Sequence, residues 1–430
     1  MMPVRFAAEI TAIVDNTVFA PTLSRDELLR LADQCVKCGL CLPVCPTYEK
    51  RRNEADSPRG RIALIQGWLM DDLELTPTLA GHLDGCLTCR ACERACPSLV
   101  AYGRLIDGAK ARRVAQMTAW QRFWQRGWLL ALSDARLAGV FGQVSRFYRL
   151  SGLARLTEWL RLMPFRRLQP WHRLATALAI TARYIAPRDP PVADLDLFIG
   201  CQGATAQGRA IEAALKICER LGLRVRSGSA CCGALLRHNG YPHDADQHRA
   251  DCIRFYAGRP LVGLASACLV ELREEPALSH AQEICDFLDR CVWPAAIRLR
   301  PLQARVLVHE PCSHQFLPGG NAAVYRLLTR IPALEVAPLP GNDRCCGAAG
   351  TYLFQQPEMA QRLLEDKLTT LAELEPKIIV TTNPGCALHL IAGVREAGLS
   401  IEVCHPVELI ARQMDGWLKT SGSPPRINPA

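Results

Sequence analysis

Two cysteine runs near the N-terminus of this 430-residue chain share the spacing C-x2-C-x2-C-x3-C, and each run ends before a proline. Three thiolates spaced in this way reach one cubane cluster from a tight loop, while the proline turns the fourth thiolate toward a neighbouring cluster. The spacing therefore predicts two 4Fe-4S clusters that exchange their fourth ligands. The first set is Cys35, Cys38, Cys41 and Cys96, and the second is Cys45, Cys86, Cys89 and Cys92.

Zinc and disulfides are the alternatives for these thiols. Structural zinc usually takes two cysteine pairs separated by a longer loop, and disulfide scaffolds are usually short secreted chains that begin with a signal peptide. Residues 1–29 lack the uninterrupted apolar core of such a peptide. We therefore expect a reducing, cytoplasmic setting, in which clustered cysteines are more often metal ligands.

The second half of the chain contains two copies of a cysteine-pair module. In each copy an apolar strand precedes a single cysteine, a Cys-Cys-Gly turn follows, and a further cysteine comes after another apolar strand. Open α/β sheets place their ligand crevice where parallel strands end, and glycine allows a turn in which both adjacent thiolates face one centre. The copies predict a third site at Cys201, Cys231, Cys232 and Cys268, and a fourth at Cys312, Cys345, Cys346 and Cys386. Iron–sulfur centres, zinc, and structural or redox-active thiols all remain open for these two sets.

Residues 111–190 differ sharply from the rest, with fourteen arginines, no lysine and no cysteine. Five of the eight tryptophans lie here: Trp120, Trp124, Trp128, Trp159 and Trp171. The four-residue repeat of the first three predicts a helix with an aromatic face. Such a face packs on the protein's own domains, lies at a membrane surface, or docks an acidic partner. Nucleic acid is not expected as a partner, because no reading module accompanies the arginines.

Taken together, the two runs, the "DSPRGRI" element at residues 56–62 and the tandem "CCG" modules resemble the glycolate oxidase iron–sulfur subunit family. More broadly they are similar to the cysteine-rich subunits of heterodisulfide reductase-type enzymes. The resemblance covers about residues 30–110 and 193–410. It implies a subunit that accepts electrons from a flavin-containing 2-hydroxy-acid dehydrogenase subunit and passes them toward quinone or another acceptor.

The chain departs from the fuller family pattern at one position in each module. The family ends each module with C-x-x-C, whereas Ala265 and Asn383 occupy the first position here. Each module therefore keeps four cysteines, which leaves an ordinary 4Fe-4S centre or an incomplete site as the options. Cys285 and Cys404 are weaker candidates for replacement ligands. His309, His314, His389 and His405 are expected to donate hydrogen bonds near the fourth site or to have no role there, and Cys218, Cys252 and Cys291 to be structural.

No dinucleotide or phosphate-loop fingerprint and no acid–base constellation occurs in the sequence. The organic substrate is therefore expected on another polypeptide. Other functions remain open: an anchor subunit of a glycerol-3-phosphate dehydrogenase-like complex, a heterodisulfide reductase-like thiol–disulfide enzyme, or a scaffold with structural zinc.

The expected architecture has five parts. It comprises an α+β ferredoxin-like domain, mainly helical around two clusters (1–110), a helical bridge (111–192), two α/β cysteine-rich domains (193–300 and 301–415) and a flexible tail (416–430). No apolar segment is long enough to cross a bilayer. The chain is expected in the cytoplasm, with peripheral contact to the inner face of the membrane through residues 111–190 as an open alternative.

Overall fold

The computed structural model describes residues 23–159, 169–181, 183–185 and 190–414. The first eight cysteines lie among six short helices: α1 (Arg25–Asp33), α2 (Pro46–Arg51), α3 (Pro58–Leu69), α4 (Pro77–Asp84), α5 (Ala91–Arg94) and α6 (Tyr102–Ala115). Three of them begin at a proline, which lacks the N–H that the first turn leaves unpaired.

No strand occurs among residues 23–118, so the β part of the expected α+β domain is not found in the described chain. The reason is local. The first cysteine run leads directly into helix α2, and the second contains the helical turn α5, so neither run forms a hairpin.

The expected helical bridge is present in the described residues as α7 (Ala119–Ser133), α8 (Ala135–Leu150), α9 (Leu153–Trp159) and α10 (Gln169–Leu178). Thr118 caps α7 with a capping box, and Asp134 caps α8. The aromatic face of α7 is divided. Trp128 packs edge-to-face against Trp171, whereas Trp120 and Trp124 are 67% and 59% exposed.

Each cysteine-rich copy is an α/β unit built on a four-stranded parallel sheet, as expected. The first contains β1 (Leu195–Phe198), α11 (Gly203–Ala206), α12 (Gly208–Arg220), β2 (Val225–Gly228), α13 (Ala234–His238), α14 (Pro242–Tyr256), β3 (Leu261–Gly263), α15 (Ser266–Arg273), β4 (Gln282–Glu283) and α16 (Ile284–Arg290). The second contains β5 (Ala304–Val308), α17 (Ala322–Leu328), β6 (Leu334–Pro338), α18 (Tyr352–Gln355), α19 (Pro357–Leu374), β7 (Ile378–Val380), α20 (Pro384–Glu396), β8 (Glu402–Cys404) and α21 (Pro406–Gln413).

The two sheets have equivalent strand orders, β2-β1-β3-β4 and β6-β5-β7-β8. A single hydrophobic cluster includes residues of both sheets, such as Leu197 of β1 and Val306 of β5, so the copies share a continuous core. The bridge packs on both copies, because α8 contacts α11 and α10 contacts α20. Within the described residues, no helix is long and apolar enough to span a bilayer.

Candidate metal centres

The first cysteine set lies around one small pocket. Cys35, Cys38, Cys41 and Cys96 all line it, and Lys37 and Arg59 lie at the same pocket. Burial raises the pKa of Cys41, and the neighbouring Cys35 thiol adds to the effect. Cys96 and Cys92 of the other run line this pocket beside the three cysteines, and the exchange of fourth ligands stays a prediction.

The second set is also brought together. Burial raises the pKa of Cys92 well above its ordinary value, and the thiols of Cys89, Cys86 and Cys45 add to the effect. Cys45 and Cys92 are buried and Cys86 and Cys89 half-buried. Burial favours the neutral form of Cys92, and a bound cationic centre would stabilise its thiolate instead.

The "DSPRGRI" element forms the start of α3 and carries an arginine to the second set. Ser57 caps the helix by accepting a hydrogen bond from the Gly60 N–H (2.9 Å). Gly60 has no room for a side chain, because a Cβ would lie 1.8 Å from the Glu54 carbonyl oxygen.

Arg61 of this element is 1% exposed. Its Nη1 donates to Thr47 Oγ1 (3.1 Å) and its Nε donates to the His82 carbonyl (2.7 Å). Burial disfavours the guanidinium charge, but the nearby Tyr102, Cys86 and Cys45 outweigh it and raise the pKa of Arg61 overall. A fixed positive charge therefore lies beside the second set of thiols.

The third set lies at the carboxyl ends of β1, β2 and β3. The thiols form a continuous series of contacts, from Cys201 to Cys231, from Cys231 to Cys232 and from Cys232 to Cys268. Hydrogen bonding to Cys231, together with burial, raises the pKa of Cys201 well above its ordinary value.

The fourth set repeats this arrangement after β5, β6 and β7. Cys312 contacts Cys345, Cys345 contacts Cys346, and Cys346 contacts Cys386. Asn383 does not join the thiols as the missing fifth ligand would. Its Oδ1 accepts the Gly385 N–H at 2.9 Å and caps α20.

The glycine after each cysteine pair is required by the backbone. Gly233 and Gly347 have φ values of 86° and 92°, and a Cβ on either would lie 2.6 Å from a carbonyl oxygen. The N–H of each glycine donates to the first thiol of its pair, at 3.4 Å in both copies. Glycine thus permits the turn and stabilises one sulfur, as the sequence pattern predicts.

Two buried side chains distinguish the fourth site from the third. A ring nitrogen of His309 lies within 4.8 Å of the Cys346 and Cys386 sulfurs. Lys367 is 3% exposed and interacts electrostatically with the same two thiols. Burial lowers the pKa of His309 to about 3, so the ring is neutral. Nδ1 of His309 lies 3.0 Å from Thr381 Oγ1.

The second and fourth sets adjoin each other. Burial raises the pKa of Cys89, and the neighbouring Cys312 thiol adds to the effect. Both residues pack on one hydrophobic cluster that includes Cys345 and Tyr352. The Tyr352 hydroxyl donates to the Gly85 carbonyl oxygen at 3.2 Å. A cavity of about 1900 Å³ is lined by cysteines of the second, third and fourth sets: Cys86, Cys89, Cys201, Cys231, Cys232, Cys268, Cys312, Cys345, Cys346 and Cys386.

The donor chemistry fits iron–sulfur clusters. All of these cysteines are free thiols, and each set offers sulfur ligands in or beside a pocket. Thiolate ligation is what iron–sulfur clusters require, and zinc accepts the same ligands.

Comparison with known proteins supports 4Fe-4S clusters in the region of the first two sets. A family described as "4Fe-4S dicluster domain" matches residues 31–100, and one described as "Cysteine-rich domain" matches residues 195–273 and 306–391. The glycolate oxidase iron-sulfur subunit of Escherichia coli (strain K12) is 28% identical over 422 residues, which cover 92% of this chain and 97% of the relative. The probable glycolate oxidase iron-sulfur subunit of Bacillus subtilis (strain 168) is 28% identical over 429 residues, with coverage of 91% and 95%. The chain is thus similar over nearly its whole length to glycolate oxidase iron–sulfur subunits, and it contains both domain families.

A second group of relatives matches only part of the chain. Lactate utilization protein A of Geobacillus kaustophilus (strain HTA426) is 25% identical over 234 residues, which cover 50% of this chain and 98% of the relative. The two glycolate oxidase iron–sulfur subunits, by contrast, match this chain over nearly its whole length.

The weaker sequence candidates lie elsewhere. The Cys285 sulfur lies within 4.8 Å of ligand atoms of Glu283 and His405. Cys404 has charged neighbours instead, namely Arg412, Glu408, Glu402 and Arg209. Neither cysteine therefore joins the third or fourth set. Among the four histidines, His309 is the one grouped with fourth-site sulfurs. Sequence reasoning missed the Glu283 group, since Glu283 and Cys285 belong to one cysteine-rich copy and His405 to the other.

Proposed function

We propose that this chain is the iron–sulfur electron-transfer subunit of a flavin-dependent 2-hydroxy-acid (glycolate-type) dehydrogenase complex. In this role it takes electrons from a flavin-containing partner and passes them toward quinone or another acceptor. The observation that carries the proposal is that Cys89 and Cys312 pack on one hydrophobic cluster, since this joins the dicluster region to the cysteine-rich copies. The names of the relatives support the identity of the complex.

The residues have separate tasks in this proposal. Cys35, Cys38, Cys41 and Cys96 hold one 4Fe-4S cluster, and Cys45, Cys86, Cys89 and Cys92 hold another. The third set (Cys201, Cys231, Cys232, Cys268) and the fourth set (Cys312, Cys345, Cys346, Cys386) hold further iron–sulfur centres. Bound clusters supply one-electron transfer, while the protein fixes their spacing and tunes the charge around them.

The test is reduction of the anaerobic complex by its substrate. We expect glycolate, added with the flavin partner, to bleach the iron–sulfur absorption of the wild-type chain. Cys89→Ser should lose one dicluster signal and stop electron transfer to an external acceptor, whereas Cys291→Ser, a matched substitution outside all four sets, should retain both. Retention of full electron transfer in a folded Cys89→Ser chain would overturn the proposed path.

We also propose that α7 and α8 contact the cytoplasmic face of a membrane. Trp120, Phe123 and Trp124 pack on one another yet are each more than half exposed. On α8, Leu137, Val140, Val144 and Phe147 recur at helical spacing and are also exposed. Aromatic and aliphatic side chains in an arginine-rich segment suit an anionic lipid surface.

Vesicle flotation tests this contact. The wild-type chain should float with vesicles that contain anionic lipid, and less so at high salt, because exposed charges are then screened. Replacing Trp120 and Trp124 by Ala should abolish flotation, and replacing Val292, which is 92% exposed elsewhere, should not. Equal flotation of both variants would contradict the contact.

A further inference from the structure

A buried cluster of metal-ligating side chains lies apart from the cysteine-lined cavity. Glu283 ends β4, Cys285 is the second residue of α16, and His405 follows β8 directly. Strands β4 and β8 are the edge strands of the two sheets, so the cluster joins the two cysteine-rich copies. None of these three residues lines the cavity.

The ligand atoms already have suitable spacing. One ligand atom from each of the three residues lies within 4.8 Å of the others, and Glu283 Oε1 lies 3.4 Å from His405 Nε2. Nitrogen and oxygen ligands about 2.0–2.2 Å from a tetrahedral zinc lie roughly 3.3–3.6 Å apart. The observed spacing therefore needs little rearrangement to accept the ion.

The hydrogen bonding of the cluster is incomplete, because in the described part of the chain Glu283 Oε1 and His405 Nε2 have only each other as partners, at the long distance of 3.4 Å. Within the described residues, Glu283 Oε1, His405 Nε2 and His314 Nε2 are buried without a hydrogen bond, and the three residues are 1%, 4% and 0% exposed. Such atoms are costly to bury, so native proteins seldom leave them unpaired. A cation bound among them would remove that cost.

The other polar atom of each residue fixes its orientation. Glu283 Oε2 accepts the Cys285 N–H at 2.6 Å, and His314 Nδ1 lies 2.8 Å from Thr382 Oγ1. His405 Nδ1 accepts the Val407 N–H at 3.3 Å and caps α21, so zinc binding through Nε2 requires the tautomer with its proton on Nδ1 and the loss of this long contact. His405 Nε2 is then free to bind a metal.

We propose that Glu283, Cys285 and His405 bind one Zn²⁺ ion that links the two cysteine-rich copies, with His314 as the fourth ligand. One thiolate, one carboxylate and two imidazoles form a set that zinc accepts, and the two negative charges balance the ion. His314 interacts electrostatically with Glu283 but lies outside the 4.8 Å group, so its Nε2 must move toward the ion to become the fourth ligand. The ion is structural, because it closes the gap between edge strands and lies outside the electron path.

Zinc analysis and zinc K-edge absorption on the intact chain, purified anaerobically with Zn²⁺ present, test this site. We expect about one zinc per chain, bound by one sulfur and otherwise by nitrogen and oxygen. Cys285→Ser and Glu283→Gln should each lose the zinc and keep the iron. Cys218→Ser, a buried cysteine of the same copy outside the cluster, should keep both metals.

Either of two results would overturn the proposal. One is the absence of zinc from a wild-type chain that carries its iron. The other is a zinc bound by sulfur alone, which would place it at a cysteine set instead. Because the wild-type spectrum alone distinguishes these ligand sets, the test does not depend on the variants folding.

Discussion

Arg61 lies buried beside Cys45 and Cys86, and it donates to Thr47 and to the His82 carbonyl. A fixed positive charge next to a cluster favours the reduced, more negative state. Arg61 is thus placed to tune the second cluster, whereas Arg59 lies at the pocket of the first set and pairs with Glu54 at the surface.

Replacing Arg61 with Gln should make the second cluster harder to reduce. It should also lower the free energy of unfolding by about 3 kcal/mol, because Asp56 loses one of its buried partners. Anaerobic redox titration followed by EPR measures the first effect. Arg94→Gln, an exposed arginine of the second cysteine run, serves as the control. An unchanged midpoint potential in the Arg61 variant would contradict this role.

At the scale of elements, the Cys-Cys-Gly turns depend on their glycines. Gly347→Ala should displace the turn from α19 and remove the centre at the fourth site, because the new Cβ meets the Ala360 carbonyl at 2.6 Å. Gly222→Ala is the matched control, since Gly222 also has a positive φ (77°) but no atom within 4 Å of the new Cβ. Iron per chain should fall in the first variant only. Equal iron in both would show that the turn tolerates a side chain.

The contact between α6 and α13 should be sensitive to pH. His238 Nδ1 lies 3.0 Å from Asp107, with Glu271 and Lys110 as further charged neighbours. Burial opposes the imidazolium charge, but Asp107 outweighs it and raises the pKa of His238. The pair therefore stabilises the fold fully below the unfolded pKa of about 6.5, and this stability is lost as pH rises through the raised folded pKa.

Asp107→Asn should remove that pH dependence and cost about 1 kcal/mol or less at pH 6, since the His238 side chain is 38% exposed. Urea denaturation of the wild type and the variant at pH 6 and pH 9 checks the effect. The two proteins should differ less at pH 9 than at pH 6. A constant difference would assign Asp107 a role independent of His238.

Local rules predict much of these elements from the sequence. The spacing of the two runs predicts that Cys96 lies near Cys35, Cys38 and Cys41, whose pocket it lines, and Gly347 is predictable because an αL turn needs it. The split of the α7 face is not predictable, since Trp128 is half-buried against Trp171 and Phe354, which come from distant parts of the chain. The Glu283–His405 pair likewise depends on how two sheets pack, which no local pattern contains.

At the scale of the whole molecule, the cysteine-rich copies are alike in topology but different in charge. Repeat-equivalent positions hold Phe198 and Cys252 in the first copy and His309 and Lys367 in the second. The buried Lys367 favours a more negative centre, so a centre at the fourth site should have the higher reduction potential. Electrons that reach Cys312 from the dicluster region would be held there.

Lys367→Met should lower the potential of the fourth-site centre and leave the dicluster potentials unchanged. The substitution keeps the length of the buried side chain and removes its charge. Redox titration of the wild type and of this variant, read by EPR, measures the difference. A shift in the dicluster potentials without a shift in the fourth-site potential would contradict the influence of Lys367 on the fourth site.

The account depends most on whether the cysteine-rich copies hold iron–sulfur centres. Iron, acid-labile sulfide and zinc per chain after anaerobic purification, with EPR of the reduced protein, measure this directly. We predict clearly more than about eight irons per chain, the number for two 4Fe-4S clusters alone, with a matching amount of sulfide. Cys346→Ser should remove only the excess. About eight irons with zinc bound by sulfur in both copies would contradict a four-site electron path.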